Sequence, residues 1–188
     1  KREVDREVLG IVGGLGPMAS AEFLKTIYEC GIGENEQDAP IVLLHSDPTF
    51  PDRTEAFLAG QSEPLIARLT AALQSLADRG ASRFVICCMT IHYLLPQLPG
   101  ALRERIISLP DVMFSAVESL KKKHLVISST GTIKLELLQR QPRWRDVRNY
   151  FVFPSEDEQR QMHDLIYEVK QNRKLQEARL CVETLLAR

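Results

Sequence analysis

Apolar residues come in short unbroken runs, and amphipathic stretches separate the runs. VLGIVGG (8–14), IVLLHSD (41–47) and RFVICCM (83–89) are nearly continuous in apolar, often β-branched residues. That is the composition of strands buried on both faces. Between them, residues 16–31 carry Ala21, Leu24 and Tyr28 at helical spacing, and residues 62–80 carry Leu65, Leu69, Leu73 and Leu76. Pro17 stands in a first helical turn, where its missing N–H costs nothing. Ser62 is the expected N-cap of the second helix, and Gly31 and Gly80 are expected to close the two helices in the left-handed conformation. Strand and helix in alternation predict a mainly parallel sheet flanked by helices, an α/β fold.

The pattern then restarts. IISL (106–109) reads as a short strand, 111–123 as a helix, 124–130 as a strand, and a helical stretch begins near Thr132. NYFVFP (149–154) reads as another strand. The helix over 155–170 opens on Ser155 with Glu158 three residues on, the spacing of a capping box. An amphipathic helix over 177–188 closes the sequence. Two α/β lobes are expected, 1–100 and 101–188. The alternation calls for a further strand after the last helix, so the second lobe is expected to be incomplete at its C-terminus.

Composition narrows the class. The 188 residues are 44% hydrophobic, enough for one substantial core or two small lobes, and the formal net charge is -1. Mixed charges near neutrality give no electrostatic footprint for nucleic acid or a membrane surface. Lys121, Lys122 and Lys123 read as a solvated helix end that complements the dipole. No apolar run approaches the roughly 18 residues of a membrane span, and the charged start KREVDREVLG offers no signal peptide. Four cysteines, two adjacent, make no disulfide framework, so a reducing cytoplasm is the expected setting.

Candidate chemistry gathers in three loops. GGLGPMA (13–19) sets Gly14, Gly16 and Ala19 in the spacing of a phosphate-binding turn after a strand. It reads equally as a carboxylate-binding turn at a helix N-terminus or as a bare tight turn. In the dinucleotide reading Asp47 would hold a ribose. The loop SDPTFPDRTEAF (46–57) carries Arg53, whose planar fork suits a carboxylate, or which pairs with Asp52 or Glu55 as a surface residue. Cys88 follows at the carboxyl tip of the third strand, where a thiolate could be activated; packing is the competing reading, and the favoured one for Cys87. His92 is read as structural, with polarisation of the site as the alternative.

Taken together, these segments resemble the aspartate/glutamate racemase family of amino-acid racemases. LGIVGGLGPMASAEF resembles the family's glycine-rich opening, FPDRT its PDRT segment, and ICCMTIH its first catalytic cysteine segment. SSTGTIK resembles the turn after a second-lobe strand, and LIYEVKQN the helix carrying a substrate-binding lysine. The resemblance implies two pseudo-symmetric lobes with the active site between them, no cofactor and no metal, and a homodimer. It implies racemisation of an acidic amino acid, aspartate or glutamate, by thiol and thiolate proton transfer at Cα. Cys88 would be the first-lobe acid/base. Thr90 would bind the α-carboxylate with backbone N–H groups of the Gly14, Gly16 and Pro17 loop. Arg53 and Lys170 would hold the distal carboxylate, and Ser129 and Thr132 would face the substrate.

Two positions differ from the family pattern. Met89 stands where the family has Asn, exchanging an amide for a thioether beside the substrate. The family's second catalytic cysteine belongs to a Gly-Cys-Thr-Glu strand tip beyond EARLCVETLLAR. Cys181 lies inside a helical pattern and is no substitute, and it and Cys30 read as packing residues. A single-cysteine decarboxylase of the same superfamily and an inactive carboxylate-binding relative are the alternative readings.

Overall fold

The computed structural model describes residues 6–187, and the chain divides into two compact units. The described residues through Pro51 form the first unit with Gln61–Ser108; Asp52–Gly60 and the described residues from Leu109 onward form the second. The chain thus leaves the first unit after Pro51, spends one short helix in the second, and returns.

In the first unit β1 (Val8–Gly13), α1 (Pro17–Gly31) and β2 (Ile41–Ser46) come first. The short helix α2 (Arg53–Leu58) belongs to the other unit. Helix α3 (Glu63–Asp78), β3 (Arg83–Ile86) and the single turn α4 (Gly100–Arg103) complete the set. The sheet is parallel with order β2-β1-β3. Ile11 and Val12 of the central strand are wholly buried, and the leucine stripe of α3 is its buried face. Strand β2 lies at the edge and is only half-buried, so the expectation of strands covered on both faces holds for β1 and β3 alone.

Three local expectations change. The strand expected over 106–109 is reduced to one parallel bridge between Phe84 and Ile106. There Phe84 N–H donates to the Arg105 carbonyl at 2.9 Å and Ile107 N–H to the Phe84 carbonyl at 2.8 Å. Helix α5 (Leu109–Leu120), with Pro110 in its first turn, takes over before pairing can extend. Gly31 remains inside α1, and Ile32 caps it in extended conformation, whereas Gly80 (φ 94°) does follow α3 in the left-handed region. Cys30 is exposed on the last turn of α1 rather than packed.

The second unit continues from α5 through β4 (His124–Leu125), α6 (Thr130–Lys134), α7 (Trp144–Val147), β5 (Phe151–Val152), α8 (Glu156–Lys170) and α9 (Leu175–Leu186). Strands β4 and β5 pair in parallel over only two residues each, with Val126 N–H reaching the Val152 carbonyl at 2.9 Å. Both were expected to be longer. A 3₁₀ turn occupies Arg148–Tyr150 ahead of β5, and Ser129 and Ser155 already serve as N-caps of α6 and α8. The capping box forms as expected: Ser155 N–H donates to Glu158 Oε2 at 2.8 Å and Glu158 N–H to Ser155 Oγ at 3.4 Å.

An aromatic cluster makes the core of this unit. Phe114 meets Phe151 edge-on at 5.8 Å, and Trp144 lies 5.3 Å from Phe151, over Val117, Leu138 and Val147. Helix α2 docks on α6 because Gly131 has no side chain: a Cβ there would lie 2.5 Å from Thr54 Oγ1. Among the described residues, no helix is long and apolar enough to cross a membrane.

Phe114 is completely buried. Phe114→Ala should therefore cost about 3–5 kcal/mol of stability. Trp144, the only tryptophan in the sequence, reports the change by fluorescence during denaturation. An unchanged midpoint would show that this cluster is not the core.

Candidate active site

The turn from β1 into α1 is set by two glycines. Gly14 has φ 85°, and a Cβ on it would fall 2.4 Å from the backbone of Asp47. Gly16 has φ 129° and precedes the helix without a side-chain cap. Both conformations favour glycine. Gly14 N–H donates to Ser20 Oγ at 2.9 Å, and that hydroxyl donates to the Gly16 carbonyl at 3.2 Å. Gly14 therefore serves the loop through its shape, its amide being taken by Ser20. Pro17 begins the 15-residue helix, and its neighbours Met18 and Ala19 are exposed at the helix N-terminus.

Cys88 lies two residues past the end of β3, which stops at Ile86, short of the expected 83–89. Cys87 N–H still reaches across to the Val12 carbonyl at 2.9 Å, and Cys88 N–H turns back to the Ile86 carbonyl at 2.8 Å. The result is a tight three-residue turn at the carboxyl end of β3. The glycine turn leaves the adjacent end of β1, so both loops project from one end of the parallel sheet, the usual ligand end of such sheets. His92 is buried, and its Nδ1 donates to the Cys88 carbonyl at 2.8 Å, since a carbonyl can only accept. It acts on the Cys88 backbone, in line with the structural reading. Met89 is half-buried, and Thr90, at the start of a 3₁₀ helix, is buried. Both cysteines are half-buried. For Cys87, burial first and the neighbouring Cys88 second push the thiol up to about 11.

Asp47 is committed to its own loop. Its carboxylate accepts from Thr49 N–H at 2.9 Å, from the Thr49 hydroxyl at 2.7 Å and from Arg68 at 2.5 Å. The Thr49 hydrogen bonds, followed by Arg68, hold it at about 2 against the cost of desolvation. Nothing in that arrangement leaves Asp47 to a ribose.

Arg53, Ser129, Thr132 and Lys170 belong to the second unit. Arg53 is the buried first residue of α2, not a surface residue ahead of a helix. Asp52 caps the helix, its Oδ1 accepting from Glu55 N–H at 3.0 Å, and its Oδ2 accepts from the Tyr167 hydroxyl at 2.6 Å. Burial works to raise the Asp52 carboxyl. The Tyr167 and Glu55 hydrogen bonds, with the charges of Lys170 and Arg53, outweigh it and hold the group below the ordinary carboxylate range. Lys170 Nζ sits 4.2 Å above the Tyr167 ring. Thr132 is buried in α6 beside Gly131, and Ser129 is that helix's N-cap.

α2 and α8 thus gather Arg53, Lys170 and Tyr167 around the Asp52 carboxylate. Sequence reading named Asp52 only as a surface partner of Arg53 and missed Tyr167. Asp52 and Tyr167 lie 115 residues apart, and the only local signal was the position of Tyr167 three residues before Lys170, which puts both on one helical face.

The profile of the family described as Asp/Glu/Hydantoin racemase matches residues 12–188. The fold is similar to that of Picrophilus torridus aspartate racemase, with a TM-score of 0.79 at 23% identity, over 95% of this chain and 73% of that one. A candidate Asp/Glu racemase from Yersinia pestis matches with a TM-score of 0.71 at 15% identity, over 94% and 77% of the two chains. An aspartate racemase homologue from Pyrococcus horikoshii matches with a TM-score of 0.62 at 16% identity, over 86% and 70%.

The raised thiol of Cys87 has a consequence for stability. The folded state prefers the protonated sulfur, so its contribution is complete below the ordinary value of 9.0 and is lost as pH rises through about 11. Chemical denaturation between those pH values should show falling stability, and Cys87→Ser should flatten that limb. An identical alkaline limb in the variant would mean that Cys87 is not the group responsible.

Proposed function

Because this chain belongs to the Asp/Glu/Hydantoin racemase family, we propose that it interconverts the enantiomers of an acidic amino acid, aspartate or glutamate, by proton transfer between Cα and the thiol of Cys88. One observation carries this reading. Cys88 stands on a turn pinned by backbone hydrogen bonds, half-exposed, at the same sheet end as the glycine turn. A cysteine that served only packing would be expected inside the strand, among the buried residues Phe84, Val85 and Ile86.

The chemistry follows from that sulfur. A cysteine sulfur accepts a proton as the thiolate and returns it as the thiol, so one residue serves as base and then as acid. In the forward step the Cα–H bond breaks, its electron pair stays on Cα next to the carboxylate, and the proton passes to sulfur. A proton delivered on the opposite face by a second acid, a thiol in the family pattern, gives the other enantiomer; one returned by the same sulfur regenerates the starting isomer. Aimed N–H dipoles and cations stabilise the developing charge. Thr90 and the turn shaped by Gly14, Gly16 and Pro17 bind the α-carboxylate, while Arg53 and Lys170 take the distal carboxylate. Ser129 and Thr132 line the substrate, and Met89 gives it an apolar neighbour. A homodimer follows from the family resemblance. The cytoplasm is its expected setting, a place where Cys30, Cys87, Cys88 and Cys181 remain thiols.

L-aspartate or L-glutamate incubated with the protein in deuterated water should acquire α-deuterium and convert to the D-isomer. Deuterium without inversion would mean that one face alone is served, and binding without exchange would reduce the protein to a carboxylate binder. Cys88→Ser should abolish the exchange while Cys87→Ser retains most of it; the reverse pattern would refute the assignment. Arg53→Ala should weaken binding of the dicarboxylic amino acids roughly tenfold or more, the scale of a lost charged hydrogen bond. Binding of alanine should change far less, and equal losses would remove Arg53 from the distal-carboxylate role.

A further inference from the structure

We infer that Tyr167 is a positioning residue for recognition of the distal carboxylate, its hydroxyl fixing Asp52 and its ring carrying Lys170. The inference rests on the reading of Arg53 and Lys170 as the carboxylate-binding cations. Every group in it lies in α2, α6 or α8 of one unit.

Both the hydroxyl and the ring of the tyrosine are engaged. Its hydroxyl donates to Asp52 Oδ2 at 2.6 Å. Lys170 Nζ sits 4.2 Å above the ring, within the range of a cation–π contact. The ring itself is braced. His163, one turn earlier on α8, packs on it at 4.5 Å between centroids, and His163 Nδ1 accepts from Thr130 N–H at 3.1 Å. Thr54, whose side chain also hydrogen-bonds the Tyr167 hydroxyl, is buried against Gly131. The phenol stays protonated throughout the physiological range: burial and the bond to Asp52 push it up to about 12. It is therefore a permanent donor.

The need for such a residue is electrostatic. Lys170 is a flexible ammonium on a long stem, and Arg53 and Lys170 both act on the Asp52 carboxylate. An anion held in place by a neutral donor gives both cations a fixed reference. With two positive groups and one negative, the cluster keeps a net charge of about +1, which suits one incoming carboxylate. Without the hydroxyl, Asp52 keeps only the cap bond from Glu55 N–H to Oδ1, and Oδ2 can turn onto the cations and compete with the ligand.

The test measures KM and kcat for L-aspartate and L-glutamate, together with equilibrium binding of both and of alanine. Tyr167→Phe keeps the ring and should raise KM for the dicarboxylates roughly tenfold with kcat nearly unchanged, the scale of one lost charge-assisted hydrogen bond. Tyr167→Leu removes the ring as well and should raise KM further; adding Lys170→Met to it should cost less than Lys170→Met costs in the wild type, because that lysine has already lost its platform. Asp52→Ser retains an N-cap oxygen while removing the competing anion, so adding it to Tyr167→Phe should cancel most of the rise in KM. Unchanged KM in Tyr167→Phe, no recovery of KM when Asp52→Ser is added to it, or equal losses for alanine and aspartate, would overturn the role of Tyr167. A wild-type protein that neither binds nor exchanges acidic amino acids would instead overturn the functional reading beneath it.

Discussion

Two adjacent positions at the end of β1 have no room for a side chain, and the end of the first unit that carries Cys88 is shaped by them. A Cβ on Gly13 would lie 2.6 Å from Ser20 Oγ, and one on Gly14 would lie 2.4 Å from the backbone of Asp47. Because both side chains are missing, the loop after β2 closes over the end of β1, and Ser20 reaches back into the turn to take the Gly14 amide. The chain reverses within three residues and starts α1 with an uncapped, exposed N-terminus. Strand β3 pairs with the other edge of β1, so Cys87 can bond to Val12 and the Cys88 turn emerges beside the glycine turn. Backbone crowding at two glycines thereby determines where a thiol is presented.

The second unit achieves its organisation differently. Its sheet is minimal, and its core is aromatic, with Phe114, Trp144 and Phe151 in mutual contact. Three of its helices meet on a half-buried polar cluster. Asp52 is the hinge of that cluster, capping α2 through one oxygen and receiving Tyr167 from α8 through the other. A half-buried carboxylate survives there because donors and cations offset its desolvation. The close contact of Gly131 with Thr54 keeps α2 seated on α6.

Much of the fold was legible in the sequence, because it depends on local pattern. The apolar run of β1, the leucine stripe of α3 and the Ser155–Glu158 capping box each state their structure within a few residues. Strand ends were less legible. RFVICCM reads as strand to its last residue, yet pairing stops at Ile86 because Cys88 bonds back to Ile86, a choice apolarity does not encode. IISL fails as a strand since α5 begins at Leu109, and the short β4 and β5 are limited by the caps and turns beside them. Arg53 was not legible as a buried residue. Its burial follows from α2 crossing to the second unit, and the bond between Asp52 and Tyr167 joins positions 115 apart. No window on the sequence contains both.

The central claim is that an acidic amino acid is held with its Cα at Cys88. Differential alkylation tests it directly. The protein is treated with iodoacetamide with and without saturating L-aspartate or L-glutamate, and each cysteine is quantified by peptide mass. Cys88 should be shielded by a dicarboxylic amino acid and much less by alanine, while the exposed Cys30 is labelled at the same rate throughout. Equal labelling of Cys88 with and without the dicarboxylic amino acids would contradict the claim.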